Sequence, residues 1–220
     1  MCFSANMSFI AVGVLAVTGL VSLFVSRTKI ERAISLTPLF FALQQTAEGI
    51  LWLTLPVGHG LISGLATYLY LFFVFIFWPL WMPIVISFYE SEWIRKVGMY
   101  CCAAAGACIA LYALKTLLFS GAYAQIEGHH IVYHFTIHVT FIVGLLLNAL
   151  YCIATIVPLL ICSKPRVWYL GAVLAISNII AYIFYHVAFT SVWCFFGAAL
   201  SMMTLYIIYR NQKEQRHTTK

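Results

Sequence analysis

The sequence has no aspartate and only six glutamates in 220 residues. Charged side chains make up 8% of it, where soluble domains carry about 25%. So few charges cannot cover a water-exposed surface, which excludes a soluble enzyme or binding domain. Strict alternation of apolar and polar residues is also missing, so the chain does not read as the strands of a membrane barrel. No HExxH metalloprotease signature occurs. The first apolar run lacks a basic leader and an A-x-A exit, so it is expected to be retained as a helix rather than cleaved as a signal peptide. Repeats, low-complexity stretches and linkers are absent. Residues 1–220 read as one helical domain with a short, frayed polar tail from about residue 210.

What is present is apolar: hydrophobic residues make up 64%. In a bilayer every backbone polar group must find an internal partner, which leaves helices. Seven runs supply the ~20 residues that a span needs, giving an all-α, polytopic membrane bundle. They are Ala5–Val25, Leu36–Leu55, Leu61–Tyr89, Val97–Phe119, His138–Cys162, Val167–Phe189 and Val192–Tyr209. Pro79 and Pro83 fall inside the third and predict a kink. With seven spans, Arg27, Lys29, Arg32, Arg95, Lys96, Lys164, Arg166, Arg210, Lys213, Arg216 and Lys220 all fall on one side. Only Lys115 stays in a span, near its outer end, where it can snorkel. The positive-inside rule makes the basic side cytoplasmic, with the N-terminus out and the C-terminus in. The net charge of +6 therefore reports orientation, and the expected partner is the lipid bilayer rather than nucleic acid.

Polar groups at bilayer depth mark sites or inter-helix hydrogen bonds. In the second run, Gln45, Glu48 and Trp52 share a helical face, with Gln44 beside them. The face is either a cavity wall carrying an acid or ligand, or a protonated glutamate bonded to a neighbouring helix. In the sixth run Asn178, Tyr182 and His186 form a second stripe, with Tyr185 adjacent. In the fifth, Asn148, Cys152 and Thr155 form a third, read as packing.

The outer loop before the fifth run is rich in histidine: His129, His130, His134 and His138, with Glu127 and Tyr133 among them. His130, His134 and His138 are four apart and would line one face if the segment were helical, an arrangement suited to a transition metal. The alternative is a polar interfacial segment. Cys2 and Cys194 are the only cysteines on the outer side. They are expected to lie close together at the outer surface, as a disulfide, shared metal ligands or a redox pair. Cys2 also stands as a reactive thiol once Met1 is removed.

The start Met1-Cys2-Phe3-Ser4, the segment Gln45-x-x-Glu48-Gly49-x-x-Trp52, Glu127-Gly128-His129-His130-x-x-Tyr133 and Ser191-x-Trp193-Cys194-Phe195 recur in this order. Together they resemble an uncharacterised family of small bacterial integral membrane proteins that begin Met-Cys-Phe-Ser. The resemblance spans the chain and implies a bacterial source, hence the inner membrane, and a single membrane domain; it implies no activity. A microbial rhodopsin is set aside because the seventh run has no lysine for a Schiff base. Ceramidase-like hydrolases are set aside because their Asp and paired-His pattern is missing.

The reading that follows is a polar pocket open to the outside. Glu48 and Cys2 are candidate catalytic groups, Gln45, Trp52, Tyr133 and Tyr182 substrate contacts, and His129, His130 and His186 ligands to zinc, copper or iron. A metal-dependent membrane enzyme and a metal- or small-molecule-binding protein both fit. Alternatives are a proton-coupled transporter with its moving part at Pro79–Pro83, and a structural subunit of a membrane complex or homo-oligomer.

Overall fold

A computed structural model describes residues 4–137, 140–184 and 188–218, with 214–218 described by backbone alone. Seven long helices form the bundle: α1 Ala5–Val25, α2 Lys29–Thr54, α3 Leu61–Tyr89, α4 Trp93–Phe119, α5 Phe141–Leu160, α6 Pro165–Phe184 and α7 Phe189–Lys213. All but α2 are long and apolar enough to cross a membrane. The polar load of Gln44, Gln45 and Glu48 sets α2 apart. It packs against α1, α3 and α7.

The outward faces fit a lipid solvent. Phe24 is 93% exposed, and Leu111, Ile142 and Ile183 are also exposed. In a soluble protein such apolar surface would be an aggregation liability. The buried stripe of α1 consists of Ser8, Leu15, Gly19 and Ser22, of which the two serines and the glycine are small enough to let two helices approach. A Cβ on Gly19 would stand 2.5 Å from Leu39 Cγ, and one on Gly49 would meet the Phe9 ring at 2.9 Å.

In α3, where the prolines predict a kink, the irregularity that the structure shows is a π-helical turn at Phe73–Phe77, just before the first proline. Pro83 has no N–H to offer the carbonyl of Pro79, one turn back. That carbonyl faces α4, where a Cβ on Gly106 would stand 2.1 Å from it.

The ends of the bundle differ. At the basic end the connections are joined by polar contacts, which places them together. Thr28 and Glu31 form a capping box at the start of α2, which therefore begins at Lys29 rather than at the expected Leu36. Gln212 Nε2 donates to Glu31 Oε2 (3.1 Å) and to the Val25 carbonyl (2.9 Å). Arg95 Nη1 donates to the Ile161 carbonyl (2.8 Å), and Arg166 Nη1 to Asn211 Oδ1 (3.0 Å). The expected frayed tail is a correction: helix continues to Thr218, because these contacts dock its first turn beyond Tyr209.

Glu90 closes the same end. Its carboxylate accepts from the N–H groups of Ser91 (2.7 Å), Glu92 (3.0 Å) and Ser163 (2.6 Å) and from the Ser163 hydroxyl (2.8 Å). Burial pushes the carboxyl pKa up, but the bonds from Glu92, Ser163 and Ser91 outweigh it and hold it at about 2.

The opposite end carries a β-hairpin, with β1 Ala122–Glu127 antiparallel to β2 His130–Phe135. Gly128, at φ 61°, takes the first turn position, which a type II′ turn gives to glycine. The inner face of the hairpin, Ala124 and Ile131, packs on Leu51 and Ala66 and roofs α2 and α3.

Two predictions follow from these contacts. Gly106→Ala should destabilise the protein by roughly 1–3 kcal/mol, the usual range for overpacking. Gly64→Ala, where an added Cβ meets nothing within 4 Å, should be neutral or stabilising; thermal unfolding in detergent compares the two. For Glu90 the lowered pKa means that its stabilisation is present above the unfolded value of 4.5 and is lost as pH falls toward about 2. Glu90→Gln should lower the melting temperature at neutral pH and flatten its decline across that window.

Candidate functional site

At the centre of α2, Gln44, Gln45 and Glu48 are all fully buried. Glu48 accepts a hydrogen bond from the Ser191 hydroxyl on the first turn of α7, and the Gln45 amide lies beside the same carboxyl. Among the described residues, Glu48 Oε2, both polar atoms of the Gln45 amide and Trp52 Nε1 have no hydrogen-bond partner of good geometry. Gln44 Oε1 accepts from Trp78 Nε1 at 2.6 Å, and the Trp78 ring stacks on Phe41 with centroids 3.9 Å apart. Cys194 lies beside Tyr70 and Gln44. Tyr70 in turn stacks on Tyr133 of β2 at 4.5 Å and reaches the Thr190 carbonyl at 3.5 Å. The hairpin is thus fastened to the polar core through Tyr133.

Several sequence expectations are corrected. The histidine-rich segment is not helical but a strand. Four residues along a strand span ~13 Å, so His130 and His134 cannot share one ion as helical neighbours would. His134 Nε2 instead pairs with Glu127 Oε1 across the hairpin (3.1 Å) and stacks on Tyr123. His129 is exposed at the turn. Burial, and then the charge of His129, lower the His130 pKa, which favours its neutral imidazole.

Cys194 is not at the outer surface. The seventh helix begins at Phe189, three residues before the expected start, which places this thiol more than a turn inside, 5% exposed. Cys2, His138, Tyr185 and His186, on which other expectations rested, lie outside the described residues. Among the described residues no group of three or more His, Cys, Asp or Glu side chains is placed to hold a metal ion.

A cavity lies elsewhere. A chamber of about 420 Å³ sits between α4, α5 and α7 at the hairpin end. One wall is a run of aromatic rings: Phe135 to Phe75 at 5.7 Å, Phe75 to Tyr151 at 6.2 Å, Tyr151 to Trp193 at 5.1 Å, Trp193 to Phe189 at 5.8 Å and Phe189 to Tyr182 at 5.9 Å. Tyr182 is the one expected substrate residue that lines it. Glu48, Gln45 and Trp52 do not, because the first turns of α7 stand between.

Sequence reasoning missed Ser191, Tyr70 and Tyr151 as site residues. Ser191 stands in a motif that was noticed for its cysteine. Tyr70 and Tyr151 had no signal beyond lying in apolar helices.

The geometry defines a class, a multi-pass helical membrane protein with a polar centre and an aromatic chamber beside it. Within that class the chain belongs to a family of unknown function (DUF6629), whose model matches residues 1–219. No curated protein and no solved structure matches it.

A double-mutant cycle measures the central bond. Ser191→Ala should lower stability by roughly 1–3 kcal/mol by leaving a buried acceptor unpaired. Its effect in a Glu48→Leu background should be much smaller, and equal effects in both backgrounds would show that the contact is not coupled.

Proposed function

We propose that the protein binds a small, chiefly apolar molecule in the aromatic chamber, in the outer half of a bacterial cytoplasmic membrane. The basic end faces the cytoplasm by the positive-inside rule, so the chamber and its hairpin face outward. One observation carries the reading: a cavity of about 420 Å³ walled by a continuous run of aromatic rings. Small-molecule sites span roughly 300–1,000 Å³ and combine apolar walls with few polar groups. Here those groups include Asn148, Tyr182 and the Cys194 thiol at the inner end.

Glu48 and Ser191 support the site from behind. Their bond fixes the first turn of α7, whose next turn brings Trp193 and Cys194 to the chamber. This makes Glu48 a positioning residue rather than a catalytic one. The chiefly apolar lining of the chamber supports a binding site.

Gly144 gives a direct test. It lines the chamber, and a Cβ added there meets nothing within 4 Å. Gly144→Phe should therefore fill the chamber without disturbing the backbone. Mass spectrometry of organic extracts from purified protein should find an apolar compound with the wild type and lose it with Gly144→Phe, at an unchanged melting temperature. The same compound in equal amount on both proteins would refute the reading.

A further inference from the structure

We propose that the occupant is a single-chain amphiphile and that Trp193 is the floor that sets the chain length it can have. The inference rests on the chamber being a ligand site. A second cavity, of about 90 Å³, lies toward the basic end. Tyr151, Trp193 and Cys194 border both cavities, so a single layer of side chains separates them. Trp193 is the largest member of that layer. It packs edge-on to Tyr151 at 5.1 Å and is stacked on Phe189 at 5.8 Å. Among the described residues its buried Nε1 has no hydrogen-bond partner, and its ring contacts are these stacking and edge-on ones. One turn further along α7, Gly197 lines the second cavity.

The chamber has the polarity of a head-and-tail ligand. Thr116, in the last turn of α4 with its hydroxyl donating to the Tyr112 carbonyl at 2.9 Å, and Thr140, the residue before α5, line its hairpin end. Between them and Trp193 the walls are chiefly apolar, among them Val74, Ile109 and Leu147. Asn148, the amide in this stretch, is engaged by the Cys152 thiol at 3.9 Å. Phe141 and Leu145 line the chamber and are also exposed on the outside of the bundle. The chamber therefore adjoins the lipid from which a single-chain amphiphile would come. Its polar group would lie at the level of Thr116 and Thr140, and its tail would run along α5 to Trp193. Replacing the indole by a small side chain joins the second cavity to the chamber and lengthens the space for the tail.

Saturated monoacylglycerols of increasing chain length, titrated onto purified protein and read by native mass spectrometry, test this. Wild type should bind up to a cut-off length and no further. Trp193→Ala should move the cut-off to longer chains, with affinity rising roughly tenfold for each pair of methylenes newly buried. Trp193→Leu, a milder truncation, should move it less. Retained binding of the short chains shows that either variant is folded. An unmoved cut-off in both variants overturns the floor; if Gly144→Phe still abolishes short-chain binding, the chamber itself stands. Failure of every monoacylglycerol to bind wild type overturns the amphiphile, whereas the compound extracted from the wild type and lost in Gly144→Phe judges the chamber separately.

Discussion

The constraint on which the architecture depends is the burial of a carboxyl and two carboxamides at the centre of α2, in an interior whose other buried polar groups are chiefly serine and threonine hydroxyls. A glutamate at the middle of a membrane helix costs a few kcal/mol when it faces hydrocarbon, so α2 must be enclosed. It is enclosed by α1, α3 and α7 on its sides and by the hairpin above. This is why α2 alone is not apolar enough to count as a span and yet is the element that α1, α3 and α7 pack around. The exposed aliphatic faces of the remaining helices follow from the same arrangement, since their polar content is directed inward.

The first turns of α7 divide the interior in two. Residues one helical turn apart share a face, and Thr190, Trp193, Cys194 and Gly197 turn toward the cavities. Ser191 and Ala198, seven apart, turn toward α1 and α2. One face therefore carries the bond to Glu48 while the other supplies the chamber floor. A rotation of this helix that altered the floor would also strain the Ser191–Glu48 bond. The polar centre thus holds the shape of an apolar site without lining it.

Much of the helical frame was legible because lipid demands long apolar runs, and a 3.6-residue period is not needed to recognise them. The first span and the full length of the third were read to the residue. The start of α2 was misplaced because Lys29, Glu31 and Arg32 look like loop, whereas Glu31 closes a capping box with Thr28 that starts the helix at Lys29. The hairpin was missed for a different reason. His130, His134 and His138 fit a helical spacing, but strands also place even-numbered neighbours on one face, and the Gly128 turn with the Ile131–Val132–Tyr133 run carried the better signal. The polar face of α2 was legible, since Gln45, Glu48 and Trp52 are spaced for one face. The chamber was not, because it is built from ordinary aromatic residues on five helices and a strand, and no local spacing encodes their convergence.

The π-helical turn of α3 touches both α2 and the chamber, and its geometry explains how it can serve both. A π turn takes more residues than an α turn and so rotates the helix after it relative to the helix before. Upstream, Tyr70 meets α7; downstream, Trp78 meets Gln44. Within the turn, Phe73 and Phe77 contact Phe40 of α2, while Val74 and Phe75 line the chamber. A regular helix would advance these faces in step and could not offer α2 and the chamber the same run of residues in this order. Pro79 and Pro83 follow immediately, and each removes a donor from the backbone ladder, so the distortion lies where the ladder is already incomplete. Gly106 then admits the carbonyl of Pro79 that Pro83 leaves without its usual donor. The aromatic wall, the polar centre and the glycine on α4 are in this sense one construction, each fixed by the irregular turn between them.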